Sequence, residues 1–360
     1  MRSLAAALNW PANRVARLMY LSPQVLEGNI ERERAERLLE LVTEAGLQAS
    51  IQAQDAVIEE GVPDYDIALV IRDFSHIGAI VQLISHVLGV KPNKAREIIC
   101  ASPALLMGGV SLATVEALRA RFEALQVDLD VAVRSQSQYD LILAPGPEVL
   151  RQRVLAIVAR HLGKAGQAIP LDQPGHQGKA QLGGMIATGL NFKQANALWD
   201  ELRGGGASAQ LVNRTFERFD IVMREATDSP RLRAYLADRV GVPAQVVDKL
   251  IQRLPIVVQR QLSPDQAETA LLEFAELDVL AVAELTTFQA FDLAIDNLSG
   301  KKDRAVQVLS SLADRSQQSA VTALSKLPAR LDGPFSNVHA RWLQAELKNA
   351  GASSRLVQRA

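Results

Sequence analysis

"FDIVMREA", residues 219–226, opens with an aromatic residue, an acid and an aliphatic residue and continues as a largely apolar run suited to a buried strand. The same opening occurs as Tyr65-Asp66-Ile67, Tyr139-Asp140-Leu141 and Phe291-Asp292-Leu293, at spacings of 74, 80 and 72 residues. Recurrence on that scale marks a tandem array rather than one large domain. The reading of 219–226 therefore decides the reading of the chain.

The second unit shows what one repeat contains. "YDIALVIRD" (65–73) is rich in β-branched and aliphatic residues and reads as a strand. "HIGAIVQLISHVLG" (76–89) places Ile77, Ile80, Val81, Ile84, Val87 and Leu88 along one helix face, with Gly89 as a stop. Pro92 suits the first turn of a second helix through "NKAREIICA", which Pro103 ends. "PALLMGGV" (103–110) reads as a strand. Ser111 is placed to cap a helix whose Val115, Leu118, Phe122 and Leu125 share a face, and "VDLDVAV" (127–133) alternates as a last strand.

The remaining segments align on this unit. From Asn13, "NRVARLMYLSPQVLEGNIERERAERLLELV" matches the stretch from Asn93 without a gap, sharing Ser22/Ser102, Pro23/Pro103, Leu26/Leu106, Gly28/Gly108, Glu36/Glu116 and Leu38/Leu118. The segments 254–274 and 327–347 keep the proline in register, and 186–212 keeps the final helix and strand. The expected organisation is an incomplete first unit at 1–53 and full units at 65–133, 139–212, 219–284 and 291–358, the third with an insertion near 164–182. The fold class is α+β: a tandem array of β-α-α-β-α-β units, each a three-stranded sheet covered by helices on one face. Linkers such as 54–64 and 134–138 are short, so neighbours are expected to pack into a semi-rigid rod.

Composition narrows the function. Of 360 residues 48% are apolar but only 4% aromatic, so the cores are built from Ala, Leu, Val and Ile, and the net charge of −1 gives nucleic acid or an acidic membrane nothing to steer toward. The single cysteine, Cys100, cannot form an internal disulfide, which fits a reducing compartment. No apolar stretch has the length of a signal-peptide core or a membrane span, and the reading is a cytoplasmic protein.

The order strand, two helices, strand, helix, strand, with its aromatic-Asp-aliphatic start, resembles the C-terminal domain of the acidic ribosomal stalk protein of bacteria. The small Clp protease adaptor that recognises destabilising N-termini shares that fold. Gly89, Ala95, Pro103, Gly109 and Val110 match the family pattern in the second unit, and Ala45-Gly46 and Ala350-Gly351 match its pair before the last strand. The resemblance covers almost the whole chain and implies binding modules rather than an enzyme. In the family a basic face on the first two helices recruits translational GTPases. The positions that carry it fall here on Gln82, Ser85, Asn93 and Arg96, where only Arg96 keeps its charge. They fall on Gln307, Ser310, Gln318 and Val321 in the fifth unit, and the first two on Ala234 and Ala237 in the fourth. Without paired cations the charge-assisted contacts of such a face are lost, which argues against GTPase recruitment.

Other candidate chemistry is weak. The recurring Asp neighbours an inward aromatic and is expected on the opposite face, meeting solvent or a helix terminus as a framework residue rather than a metal ligand. His76, His86, His161, His176 and His339 are scattered without metal-ligand spacing. "PGHQGKAQLGG" (174–184) lacks phosphate-loop spacing and reads as a surface excursion within the insertion, and "GGG" at 204–206 as a turn. "ERERAERLLE" (31–40) reads as a solvated helix face with Glu33 paired to Arg37. No nucleophile elbow is present, and neither catalysis nor a cofactor or metal site is expected.

In the alignment Met1 falls at the position of Val81, so the first unit lacks the opening strand, which in the resembled fold is the middle one of three. "PQVLEGNI" and "LQASIQ" are then expected to flank an empty slot, filled by a strand from a partner or another copy, by this chain, or by residues upstream. The functional expectation is a non-enzymatic scaffold or assembly protein whose partners are proteins or copies of itself, with no nucleic acid and no membrane. The alternatives are an adaptor delivering clients to a protease or translation machine, and an enzyme with an unrecognised site in the insertion at 164–185.

Overall fold

A computed structural model describes residues 5, 10–44, 47–53, 61–143, 148–162, 185–204 and 209–359. Contacts divide the chain into two compact units, Met1–Ile98 with Leu105–Ser135 and Ile99–Ala104 with Gln136–Ala360. It begins with helices α1 (Ala12–Tyr20) and α2 (Arg32–Glu44), followed by a full repeat: β1 (Tyr65–Val70), α3 (Ile77–Leu88), α4 (Pro92–Cys100), β2 (Ala104–Val110), α5 (Leu112–Glu123) and β3 (Asp128–Val133). The next repeat comprises β4 (Gln138–Leu143), α6 (Glu148–Leu162), β5 (Met185–Asn191), α7 (Phe192–Gly204) and β6 (Ala209–Asn213). The repeat from 219 comprises β7 (Phe219–Glu225), α8 (Pro230–Asp238), α9 (Ala244–Ile251), β8 (Ile256–Leu262), α10 (Pro264–Ala275) and β9 (Leu280–Leu285). The last comprises β10 (Phe291–Leu298), α11 (Lys302–Leu312), α12 (Gln317–Ser325), β11 (Ala329–Phe335), α13 (Asn337–Asn349) and β12 (Ala352–Gln358).

Local chemistry sets the element ends. Gly89 closes α3 in the left-handed conformation at φ 65°, its N–H bonding Ser85 O, where a Cβ would be strained. Ser111 caps α5 by accepting the Thr114 N–H. The equivalent position in each later repeat holds another capping side chain. Asn191 and Gln194 exchange side-chain and backbone bonds at 3.0 and 3.1 Å, Ser263 and Gln266 form a reciprocal capping box, and Ser336 accepts from His339 N–H.

The four sheets share one topology, with orders β2-β1-β3, β5-β4-β6, β8-β7-β9 and β11-β10-β12. The first strand of each repeat is the central one. β4, β7 and β10 run antiparallel to both neighbours, and β1 runs antiparallel to β3. The register against the last strand is the same throughout: Tyr65 faces Val133, Tyr139 faces Asn213, Phe219 faces Leu285 and Phe291 faces Gln358. The α+β array expected from the sequence is the fold observed.

Each of the three later repeats has its own core. From 219 onward it comprises Ile221 and Met223 of β7, Leu232 and Leu236 of α8, Val247 and Leu250 of α9, and Ala267, Ala270 and Phe274 of α10. Burying each of the larger side chains contributes about 1.5–3 kcal/mol. The opposite sheet face is also covered in places: Ile142 and Val212 pack with Phe288 and Leu285, joining neighbouring repeats inside the second compact unit.

Some expectations need revision, and others fall outside the described residues. Neither "PQVLEGNI" nor "LQASIQ" is a strand: 23–30 is a series of bends and 47–53 has no regular structure. The physical reason is the strand order. The two outer strands of a repeat bond only to the central strand, and among the described residues no central strand lies beside 23–30 or 47–53. The insertion near 164–182, the Ala45-Gly46 pair and most of the 54–64 linker lie outside the described residues.

Truncating Phe274, fully buried, to Ala is expected to destabilise its repeat by about 3–5 kcal/mol in urea unfolding, as cavity formation predicts. Leu272→Ala, two residues away and 62% exposed, should change the same transition by less than about 0.5 kcal/mol.

Candidate functional site

The recurring carboxylate is buried, contrary to its expected place facing solvent: Asp66, Asp140, Asp220 and Asp292 are 6%, 2%, 8% and 3% exposed. The cause lies in the neighbouring second strand. In the three later repeats that strand holds extra residues against the central strand, where the register breaks between Tyr139/Leu141, Phe219/Ile221 and Phe291/Leu293. Such a bulge turns a backbone N–H out of the ladder, and a buried N–H needs an acceptor. The Asp supplies it. Gly109 N–H donates to Asp66 Oδ1 at 3.1 Å, Gly189 to Asp140 at 3.2 Å, Gln261 to Asp220 at 2.8 Å and Gly333 to Asp292 at 2.6 Å.

The position is defined by conformation more than by residue type. Gly109, Gly189 and Gln261 occupy one aligned position and have φ of 67°, 67° and 56°. The last repeat has Pro334 there, which has no N–H to give, and the bond moves one residue back to Gly333. A side chain at Gly333 would bring a Cβ within 2.2 Å of Phe291 O, so only glycine fits that approach.

Arginine completes each clamp. The residue just past the third strand is Arg134, Arg214, Thr286 and Arg359 in the four repeats. Arg134 Nε stands 2.6 Å from Asp66, Arg214 Nε 3.9 Å from Asp140 and Arg359 Nε 3.6 Å from Asp292. Where Thr286 replaces it, Arg260 of the second strand approaches Asp220 at 3.5 Å, and Thr286 instead accepts from Gln261 Nε2 at 2.9 Å. Arg330 Nη2 adds a contact of 2.5 Å to Asp292. Sequence reading missed these arginines, although "VAVR", "LVNR" and "LVQR" end three third strands in register.

The residues suggested by the family resemblance lie on the helix pairs. Gln82 and Asn93 are exposed on α3 and α4, with Ser85 and Arg96 partly buried. Gln307, Gln318 and Val321 are exposed on α11 and α12, Ser310 is partly buried, and Ala234 and Ala237 lie on α8. Around that last helix the surface is one of paired charges: Arg233 bridges Asp228 and Asp248 at 2.6 Å each, and Arg239 bonds Glu273 at 2.9 Å. Glu273 also accepts from Tyr235 Oη at 2.7 Å; burial first, then that bond, pushes the Tyr235 phenol upward.

The structure does not gather the described histidines. His76 and His86 lie at the two ends of α3, and His161 pairs with Glu201 at 2.5 Å on the surface. His339 stacks edge-on against Phe335 and donates from Nε2 to Leu312 O at 2.6 Å. His176 is outside the described residues. Cys100 ends α4, partly buried. Arg37 and Glu33 pair at 3.6 Å as the spacing predicted, in high exposure. Among the described residues no group of three or more His, Cys, Asp or Glu is arranged to hold a metal ion, and no helix is long and apolar enough to cross a membrane.

Comparison with models of protein families, with curated proteins and with solved structures finds no match to this chain. Its chemistry is therefore read from its own repeats.

Asp66→Ala leaves the Gly109 N–H without its acceptor and Arg134, 29% exposed, without its counter-charge, and should cost about 3–5 kcal/mol in chemical denaturation. Asp220→Ala should cost less, about 1–3 kcal/mol, because Arg260 is 60% exposed and water takes over its charge.

The last repeat should lose stability toward acid in two steps. Burial alone would raise the Asp292 carboxyl, but the Gly333 N–H, Arg330 and Arg359 together outweigh it and hold it below the ordinary range. Its contribution is therefore complete above the unfolded value of about 4 and is lost as pH falls through the lower folded value. Burial lowers the His339 pKa, so below about 6.5 the unfolded chain takes up a proton that the folded one resists. Urea titrations followed by Trp342 fluorescence, with Trp10 and Trp199 replaced by Phe, should show both declines. His339→Gln should flatten the upper one and Asp292→Asn the lower.

Proposed function

We propose that the chain is a non-enzymatic protein-interaction scaffold, built from repeats like the C-terminal domain of the ribosomal stalk protein and presenting several different surfaces to protein partners or to other copies of itself. One observation carries this reading: the buried Asp bonded to a second-strand N–H and the register at the start of the third strand's pairing recur in all four described sheets, while the exposed residues on the helix pairs of three repeats differ in charge and size. Gln82, Ser85, Asn93 and Arg96 in one repeat stand where another has Gln307, Ser310, Gln318 and Val321, and a third places Ala234 and Ala237 at the first two of these positions. A common framework with unlike faces suits several partners held in fixed order. It does not suit a single repeated ligand.

Affinity capture with the full chain, joined to light scattering across a concentration series, tests this. The expected result is specific protein capture or self-association, with Arg96→Glu on α4 removing one subset of partners and Lys249→Glu, at an exposed position on α9 of another repeat, removing a different one. Capture of nothing together with a concentration-independent monomer, or loss of every partner from either single change, would refute it.

A further inference from the structure

Two contacts between different segments of the array use the same pair of parts. Tyr20 ends α1 and Cys100 ends α4, each three residues ahead of an aligned proline, Pro23 or Pro103. Ser111 and Ser336 share a position too, as the N-caps of α5 and α13. Inside one compact unit the Tyr20 carbonyl accepts from Ser111 N–H at 3.0 Å and from Thr114 Oγ1 at 2.9 Å. Inside the other the Cys100 carbonyl accepts from Ser336 Oγ at 2.7 Å. The last carbonyls of a helix have no donors within it and carry the negative end of its dipole, whereas a helix start offers donors at the positive end. A helix end seated on a helix start satisfies both.

The same parts occur again without being joined. Ser325 ends α12 three residues ahead of Pro328 and is exposed. Ser263 caps α10 by accepting the Gln266 N–H, which leaves its hydroxyl proton to be given. Among the described residues no bond from another repeat reaches the Ser325 carbonyl or leaves the Ser263 hydroxyl. Charge marks the two as complementary. Lys326 follows Ser325, Asp265 lies in the first turn of α10, both are exposed, and neither is in an ion pair among the described residues. In the contacts already made, Leu21 and Ala101 stand where Lys326 does, and neither α5 nor α13 has an acid in its first turn.

We infer that a second copy of this chain supplies the match: the end of α12 in one copy seats on the start of α10 in another, with the Ser325 carbonyl taking the Ser263 hydroxyl proton and Lys326 beside Asp265. Each contact already made joins segments of different repeats, and neither is returned in the opposite direction. The fitting end is therefore Ser325 of the last repeat rather than Gln252, which belongs to the same repeat as Ser263. Such a contact is heterologous, one surface giving and another receiving, and it builds rings or open chains of copies. One helix end on one cap covers little area, so the association is transient and depends on concentration.

The inference rests on the scaffold reading and deepens it by naming the chain itself as one partner. Sedimentation velocity of the full chain across a concentration series, at low and at moderate salt, provides the test. The expected result is reversible association that grows past the dimer with concentration and weakens with salt. Lys326→Glu and Asp265→Lys change exposed positions, and each should weaken association by about tenfold or more. An equimolar mixture of the two variants should restore it, because each supplies the charge that the other lacks. Ser263→Gly retains a residue tolerated at a helix start and should weaken association by about threefold through loss of the hydroxyl. Arg253→Glu, beside Gln252, should leave it unchanged.

A monomer at every concentration up to about 1 mM would overturn the inference. So would association that Lys326→Glu and Asp265→Lys leave untouched, that their mixture fails to restore, or that Arg253→Glu removes instead. Capture of other proteins, or self-association through another surface, would leave the scaffold reading standing where this inference fails.

Discussion

Each of the four described sheets holds a buried carboxylate that accepts a backbone N–H of the adjacent strand, from a bulge in the three later repeats. The bulge is what lets the second strand leave the sheet and turn into the capped helix that follows: Gly109 is two residues before Ser111, Gly189 before Asn191 and Gln261 before Ser263. Without an acceptor, that N–H would be buried and unpaired, and the turn would be opposed by its desolvation. With the Asp in place, one side chain ties the central strand to the second strand and, through an arginine in three repeats, to the end of the third. The same register against the third strand in all four sheets follows from this three-way tie.

The clamp also explains why the repeats can diverge so far. Once strand register and helix start are set by a few backbone-directed contacts, the exposed faces of the helices are free to change. They have done so: the helix pair from 230 to 251 is edged by ion pairs such as Arg233 with Asp228, whereas α11 and α12 present Gln307, Gln318 and Val321. The variable surface chemistry sits on the part of each repeat that the framework does not constrain. An array of this kind changes its contacts without changing its fold.

The first region holds no central strand among the described residues. The proline and glycine positions aligned with the second repeat are kept, and Asn29 even keeps the dihedral angle of the bulge, yet no strand forms at 23–30 or 47–53. In the four described sheets the outer strands never pair with each other and depend on the central strand for their ladder. In a sheet of order second-first-third, the first strand is the single element both others need.

Much of this was legible in residues alone. The aromatic-Asp-aliphatic recurrence located four central strands, the 3–4 spacing of Ile77, Ile80, Val81 and Ile84 gave the buried helix face, and Gly89 and Ser111 marked a stop and a cap, because these signals act within a few residues of where they are written. The arginine partners were visible only as an unexplained Arg after three third strands, and the exchange of Arg for Thr286 hid the pattern in the fourth. The placing of Asp220 and its equivalents was misjudged because strand alternation says which face a side chain takes, not whether that face is covered. What the sequence determined by itself was the repeat and its element order. The burial of the carboxylate and its bond to a backbone N–H some 40 residues away were decided by tertiary structure alone, because each depends on which groups meet across strands distant in the chain.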